Sequence, residues 1–106
     1  MSHSRSAPTT DALVALLADR RRRTVVRHLA ERPAESSLET LVETLSPANA
    51  DPADERELRT ALHHNHLPRL DEAGLVEYDA ATHAVRYRPD DRAESLLRFL
   101  AEAFDD

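Results

Sequence analysis

Cysteine is absent from the 106-residue chain, so neither a disulfide framework nor a thiolate metal site can form. Lysine is absent too, and all 14 basic residues are arginine. The single glycine, Gly74, excludes the glycine-rich loops that cradle phosphates. No stretch approaches the roughly 18 consecutive apolar residues of a membrane-spanning helix. Met1 to Pro8 lacks the apolar centre of a signal peptide. It reads as a short disordered lead-in to one domain over residues 9–106, with the cytoplasm as the expected compartment and no membrane partner. Without cysteine, and with no serine in a nucleophile motif, covalent catalysis has no candidate residue. Carboxylates are so numerous that none is singled out as an acid or base. The expectation is a non-enzymatic protein that needs no cofactor and no metal.

What the chain has is acid. Asp and Glu total 20, for a net charge of −6. A lysine-free, acid-rich, alanine-rich composition resembles proteins of salt-loving archaea. At molar salt the Debye length shrinks to about 3 Å, and dense carboxylates are tolerated. A GC-rich genome also exchanges lysine for arginine, and the two readings are compatible. The charge is unevenly spread. Residues 1–33 carry seven Arg against three acids, a balance of +4, whereas residues 34–106 carry seven Arg against 17 acids, a balance of −10. An anionic partner would favour the first third.

Apolar spacing divides the chain into elements. Thr9 or Thr10 caps a helix carrying Leu13, Val14, Leu16 and Leu17. On one straight helix, Leu13 and Leu17 would continue into Arg20 and Thr24. The stripe therefore changes phase near Asp19, which reads as a new cap for a second helix with Val25, Val26 and Leu29 inward. Pro33 closes that helix. Ser36-Ser37-Leu38-Glu39 fits a capping box, with Ser36 as cap and Glu39 reaching back. It opens a short helix with Leu38, Leu41, Val42 and Leu45 on one side. Asp51-Pro52 starts the next helix, an Asp cap followed by proline at the first helical position. This helix runs to about Ala73, is interrupted by Pro68 as a kink or as two stacked pieces, and stops at Gly74.

Beyond Gly74 the period changes from 3.6 to 2. Leu75 to Asp79 and Ala84 to Arg88 alternate, so Val76 and Tyr78 share a face with Val85 and Tyr87. Glu77 and Asp79 share the other face with Arg86 and Arg88. The link, Ala80 to His83, lacks Gly and Asn and is not a tight primed turn. Asp90 or Asp91 caps a final helix striped by Ala93, Leu96, Leu97, Leu100, Ala103 and Phe104, with Phe99 at the edge. The expected fold is mainly α with a β-hairpin wing: a winged helix-turn-helix plus a C-terminal helix.

Three stretches carry a resemblance. Residues 20–29 (RRRRTVVRHL), 62–70 (LHHNHLPRL) and 73–78 (AGLVEY) resemble a family of small winged-helix proteins from halophilic archaea, broadly similar to arsenic-repressor-type winged helices. The likeness covers roughly residues 11–88. It implies a transcription-regulator-like protein that binds DNA.

On that expectation the helix from Pro52 is the recognition helix, and Arg56, Arg59, Thr60 and His63 are the candidates for base contact. Asp51, Asp54, Glu55 and Glu57 crowd the same end and leave it at −2 against Arg56 and Arg59. They favour the helix start and repel phosphate. Arg20, Arg23 and Arg27 are the candidates for phosphate contact; the alternative is a solvated face with structural ion pairs. Arg22 projects toward the apolar stripe and is expected to pair with a carboxylate. In the wing, Arg86 and Arg88 either reach a minor groove or bridge to Glu77 and Asp79. His63 and His66 could share a helix face, but no third or fourth metal ligand is evident. The final helix, through Leu96, Leu97, Leu100 and Phe104, either pairs with its copy in a homodimer or covers its own core. A protein partner bound through the apolar helices, without DNA, is the competing role.

Overall fold

The computed structural model describes residues 8–32 and 34–104. The helix stop expected at Pro33 and the lead-in through residue 7 lie outside the described residues. Six α-helices and three short strands follow in the order α1 (Thr10–Leu16), α2 (Arg20–Glu31), β1 (Ser36–Ser37), α3 (Leu38–Leu45), α4 (Pro52–Ala61), α5 (Leu67–Glu72), β2 (Val76–Asp79), β3 (Ala84–Tyr87) and α6 (Asp91–Phe104). The chain is mainly helical with a small three-stranded antiparallel sheet of order β1-β3-β2.

Side chains that compete for backbone donors set the helix starts. Thr9 accepts from the Ala12 N–H, Asp19 from Arg22, and Asp51 from Asp54. Asp90 accepts from the Ala93 N–H at 3.0 Å. Each satisfies a donor that a helix start otherwise leaves open. The expected break at Asp19 is present. The capping box is displaced by one residue: Ser37, not Ser36, is the cap, accepting from the Thr40 N–H. Ser36 and Ser37 are drawn into the sheet instead, opposite Val85 and Ala84 of β3. Their side chains carry no strand-like apolar pattern, so this strand left no mark in the sequence. Glu39 is thereby freed from the cap and turns to α4.

The helix expected from Pro52 to Ala73 is interrupted, and the interruption lies ahead of Pro68. Leu62–His66 forms a π-helical segment between α4 and α5, closed by the Leu67 N–H on the Leu62 carbonyl. Pro68 sits in the first turn of α5. In an α-turn its ring would press on the carbonyl of His64. Widening the turn before it moves that carbonyl away, so the proline is absorbed by a π turn rather than a simple kink. Gly74 then ends α5 at φ +82°, with Leu75 N–H returning to the Leu70 carbonyl at 2.9 Å.

The hairpin has the expected register: Val76 lies opposite Tyr87 and Tyr78 opposite Val85. Val76 and Val85 are fully buried and the two tyrosines half-buried. The core is aliphatic. Leu17, Val25, Val26 and Leu29 meet Leu38, Leu41, Leu62, Leu67, Leu70 and Leu75, with the hairpin valines below and Ala93 and Leu97 of α6 closing one side. Leu62 and Leu67 bracket the π segment and are both fully buried, so the irregular turn is anchored at each end.

Candidate nucleic-acid interface

The first two turns of α4 lie on the surface, because Leu58 is the only residue of this helix that enters the core. Arg56 and Thr60 are exposed, and the Arg56 guanidinium meets no side chain among the described residues. Arg59, on the same face, is held. Its Nε donates to Glu39 Oε2 at 2.8 Å and its Nη2 to Glu39 Oε1 at 2.7 Å. This hydrogen-bonded guanidinium holds the Glu39 carboxyl below its ordinary value.

The hairpin turn comes to the same place. His83 adopts φ +65°, a left-handed conformation uncommon for a residue with a side chain. Its N–H donates to the Asp79 carbonyl at 2.7 Å, and its carbonyl accepts from Leu38 N–H at 2.9 Å. Asp79 fixes the rest of the turn by accepting from the Ala81 and Thr82 N–H groups. The hairpin tip is therefore bolted to the start of α3, next to Glu39. From the π segment, His63 Nδ1 lies 2.6 Å from the Tyr78 hydroxyl, and its ring stands edge-on to His83 at 5.2 Å and to His64 at 4.5 Å. Arg59, Glu39, His83 and His63 thus converge from four segments. Of the four residues expected to face bases, Arg56 and Thr60 are open, Arg59 is tied on one edge, and His63 is turned onto Tyr78. Among the described residues no group of three His, Asp or Glu is placed to hold a metal ion. His66 does not share a face with His63: it is buried at the end of the π segment, on the side of Leu62.

The arginine run on α2 divides by direction. Arg20 is exposed and its guanidinium meets no side chain among the described residues. Arg21 reaches α4, with Nη1 and Nη2 on the two oxygens of Glu57 at 3.3 and 2.8 Å. Arg23 donates to the carbonyls of Leu17 and Ala18, and Arg27 to the Leu97 carbonyl of α6. Both are half-buried; Arg23 closes the end of α1, and Arg27 ties α2 to the middle of α6. Arg22 departs from expectation: its guanidinium takes the Leu16 carbonyl at 2.5 Å and His66 Nδ1 at 3.1 Å rather than a carboxylate. A guanidinium has no acceptor, so His66 Nδ1 must accept and the ring is neutral, with its proton on Nε2. Burial holds the His66 imidazole below its ordinary value, opposed by Asp19. The hairpin arginines are bridged. Arg88 meets Glu77 at 2.5 Å, and Arg86, whose cross-strand neighbour is that same Glu77, meets Glu35 at 3.6 Å.

Residues 14–86, more than half of the chain, match the family described as Domain of unknown function (DUF7344). The chain belongs to this family. No curated protein and no solved structure matches it. The DUF7344 region contains the whole Arg59–Glu39–His83 convergence and ends before α6.

That last helix closes one side of the core with Ala93 and Leu97, so Leu97 is a core residue rather than a surface one. Leu96 and Leu100 are half-buried. Phe99 and Phe104 are 58% and 67% exposed, and with Val14 of α1 at 48% they are the exposed large apolar residues of the described chain. An open groove of about 400 Å³ lies between α1 and α6, lined by Leu13, Val14, Leu96 and flanking polar residues. Among the described residues no helix is long and apolar enough to cross a membrane.

Proposed function

We propose that this DUF7344 protein is a winged-helix, transcription-regulator-like protein that binds DNA as a homodimer. The observation that carries the reading is the open flank of α4, with Arg56, Thr60 and the outer edge of Arg59, followed by a hairpin fastened beside it through His83. After α1, three helical stretches precede that hairpin, α2, α3 and the run from α4 through the π segment to α5, which is the order of a winged helix-turn-helix. The start of α4 would enter a major groove. Arg56 and Thr60 would reach bases, and Arg59 and His63 would stand behind them. Arg20 is the phosphate contact best supported, since Arg23 and Arg27 hold main-chain carbonyls. Arg86 and Arg88 would have to leave Glu35 and Glu77 to reach a minor groove. The exposed stripe of α6 with Val14 fits a second copy, and a two-fold pair would set two α4 helices on successive turns of DNA.

The test is a random-site selection with the full chain at molar salt. Enrichment of a two-fold site with half-sites about one helical turn apart supports the reading. Recovery of no preferred sequence refutes it.

A second reading keeps the fold and replaces DNA with a protein partner. It is favoured by the outward face of the hairpin, an open groove of about 700 Å³ lined by Glu35, Asp71, Glu77 and Asp79, with Arg86 as its one arginine. A surface of that sign repels phosphate. Stoichiometric co-purification with one protein, together with a failed selection, decides for it.

A further inference from the structure

An arginine offers two forks. The side-on fork joins Nε to Nη2, and the end-on fork joins Nη1 to Nη2. The two arginines that brace α4 use opposite ones. Arg21 gives its end-on fork to Glu57, so the edge best suited to a planar ligand is consumed. Arg59 gives its side-on fork to Glu39, at 2.8 and 2.7 Å, and its end-on fork is left without a hydrogen bond of its own among the described residues. Arg59 makes no further hydrogen bond among the described residues, although Glu55, one turn before it, also attracts its charge, and its side chain remains 38% exposed.

We propose that Glu39 is a positioning residue that holds Arg59 with its end-on fork aimed at the O6 and N7 acceptors of a guanine in the major groove. The inference rests on the DNA-binding reading and adds to it the base read and the residue that makes the reading selective. Two parallel N–H donors held in a plane match two acceptors on one base edge, whereas a phosphate accepts from a cation at almost any angle. Ordering a long side chain costs conformational entropy on binding. Glu39 meets that cost beforehand. Its own placement is fixed from two sides: by the start of α3, where Ser37 caps the helix, and by the hairpin tip, where the His83 carbonyl takes the Leu38 N–H. The exposed neighbours Arg56 and Thr60 stand three residues before and one after Arg59, on the same flank of α4. Arg59 would therefore contribute one position of a short recognised sequence.

The experiment compares the full-length wild type, E39Q and R59K on the duplex recovered by random-site selection at molar salt. It is repeated with each guanine in turn replaced by 7-deazaguanine, which lacks the N7 acceptor. For the wild type, one replacement is expected to weaken binding by about 5- to 150-fold. In E39Q that discrimination should largely vanish, while binding to the 7-deazaguanine duplex stays at the wild-type level. R59K, which keeps the charge without the fork, should behave in the same way. The bridge is exposed, and exposed bridges add little to stability, so both variants should fold. Full discrimination retained in E39Q overturns the proposal. A uniform loss on every duplex, in step with a lowered Tm, also overturns it by making Glu39 merely structural. Selection of a sequence insensitive to every guanine replacement leaves DNA binding standing and removes the role of Glu39. Selection of no sequence removes both.

Discussion

Lowering the pH from about 7.5 to 5.5 should destabilise the fold through His66, and H66Q should remove that effect. His66 is 4% exposed, at the end of the π segment, with Nδ1 accepting from Arg22. Burial depresses its folded value below 6.5. Arg22 and Arg21 add to the depression, and Asp19 and Glu57 oppose it. The unfolded chain therefore binds the proton more readily than the folded one. The stabilisation is fully present above 6.5, decays as the pH drops below it, and levels off once the pH passes the folded value. The slope cannot exceed about 1.4 kcal/mol per pH unit, the proton-linkage limit for one group. Across this interval the ceiling is also about 1.4 kcal/mol, because only the unit below 6.5 contributes fully. At roughly 4–8 °C per kcal/mol for a domain of this size, Tm should fall by at most about 5–11 °C. Glutamine can still accept from Arg22 through its amide oxygen but does not titrate. Thermal unfolding followed by circular dichroism at both pH values, at constant salt, measures the difference. If wild type and H66Q show the same pH dependence, the Arg22–His66 contact does not hold the ring neutral and the reasoning fails.

Three shorter predictions follow from other features. Gly74→Ala should cost about 1–2 kcal/mol in chemical denaturation, because an added Cβ would meet nothing within 4 Å and only the backbone at φ +82° resists it; no loss would mean that the helix end relaxes freely. The double variant F99S/F104S should sediment as a monomer under conditions where the wild type sediments as a dimer, and an unchanged sedimentation coefficient would remove α6 from the interface. If Arg20 contacts phosphate while Arg56 reaches a base, log K against log salt should have a slope of about −1 per protomer; a markedly steeper slope would show that further arginines, such as Arg21, Arg86 or Arg88, leave their carboxylates for phosphate.

Much of the architecture could be read from the sequence because it depends on short-range chemistry. The phase change at Asp19, the Asp51-Pro52 start, the stop at Gly74 and the pairing of Val76 and Tyr78 with Tyr87 and Val85 each follow from residues within a few positions of one another. What escaped depends on distant partners. Ser36–Ser37 is a strand because β3 happens to lie beside it, and two serines carry no period to announce that. The π segment results from a conflict between Pro68 and the two buried anchors, Leu62 and Leu67, that only the packed core imposes. A wide turn has no fixed sequence pattern, so the sequence marks an interruption near the proline, as a kink or two stacked pieces, without its form. The shared face that His63 and His66 could have had on a regular helix is absent for the same reason: His66 lies buried against Arg22.

The arginines show most clearly why a site is harder to read than a fold. In a chain with 20 acids, nearly any arginine has a carboxylate within reach, and the sequence assigns charge without assigning edges. Arg21 and Arg59 look alike on paper, yet one spends the fork a base would need and the other keeps it. Arg23 and Arg27 look like phosphate ligands and instead take main-chain carbonyls, Arg23 at the end of α1 and Arg27 midway along α6. Lysine could not play these double roles: its ammonium is a point charge without separate planar edges, so a bridge to a carboxylate would not orient a second face. An all-arginine chain can therefore hold its surface cations in internal bridges, keeping a crowded acidic surface neutralised in patches. A selected edge can still be presented outward. On that argument, if α4 reads DNA as proposed, its specificity would come from which edge of each guanidinium its neighbours leave free, not from the number of positive charges along it.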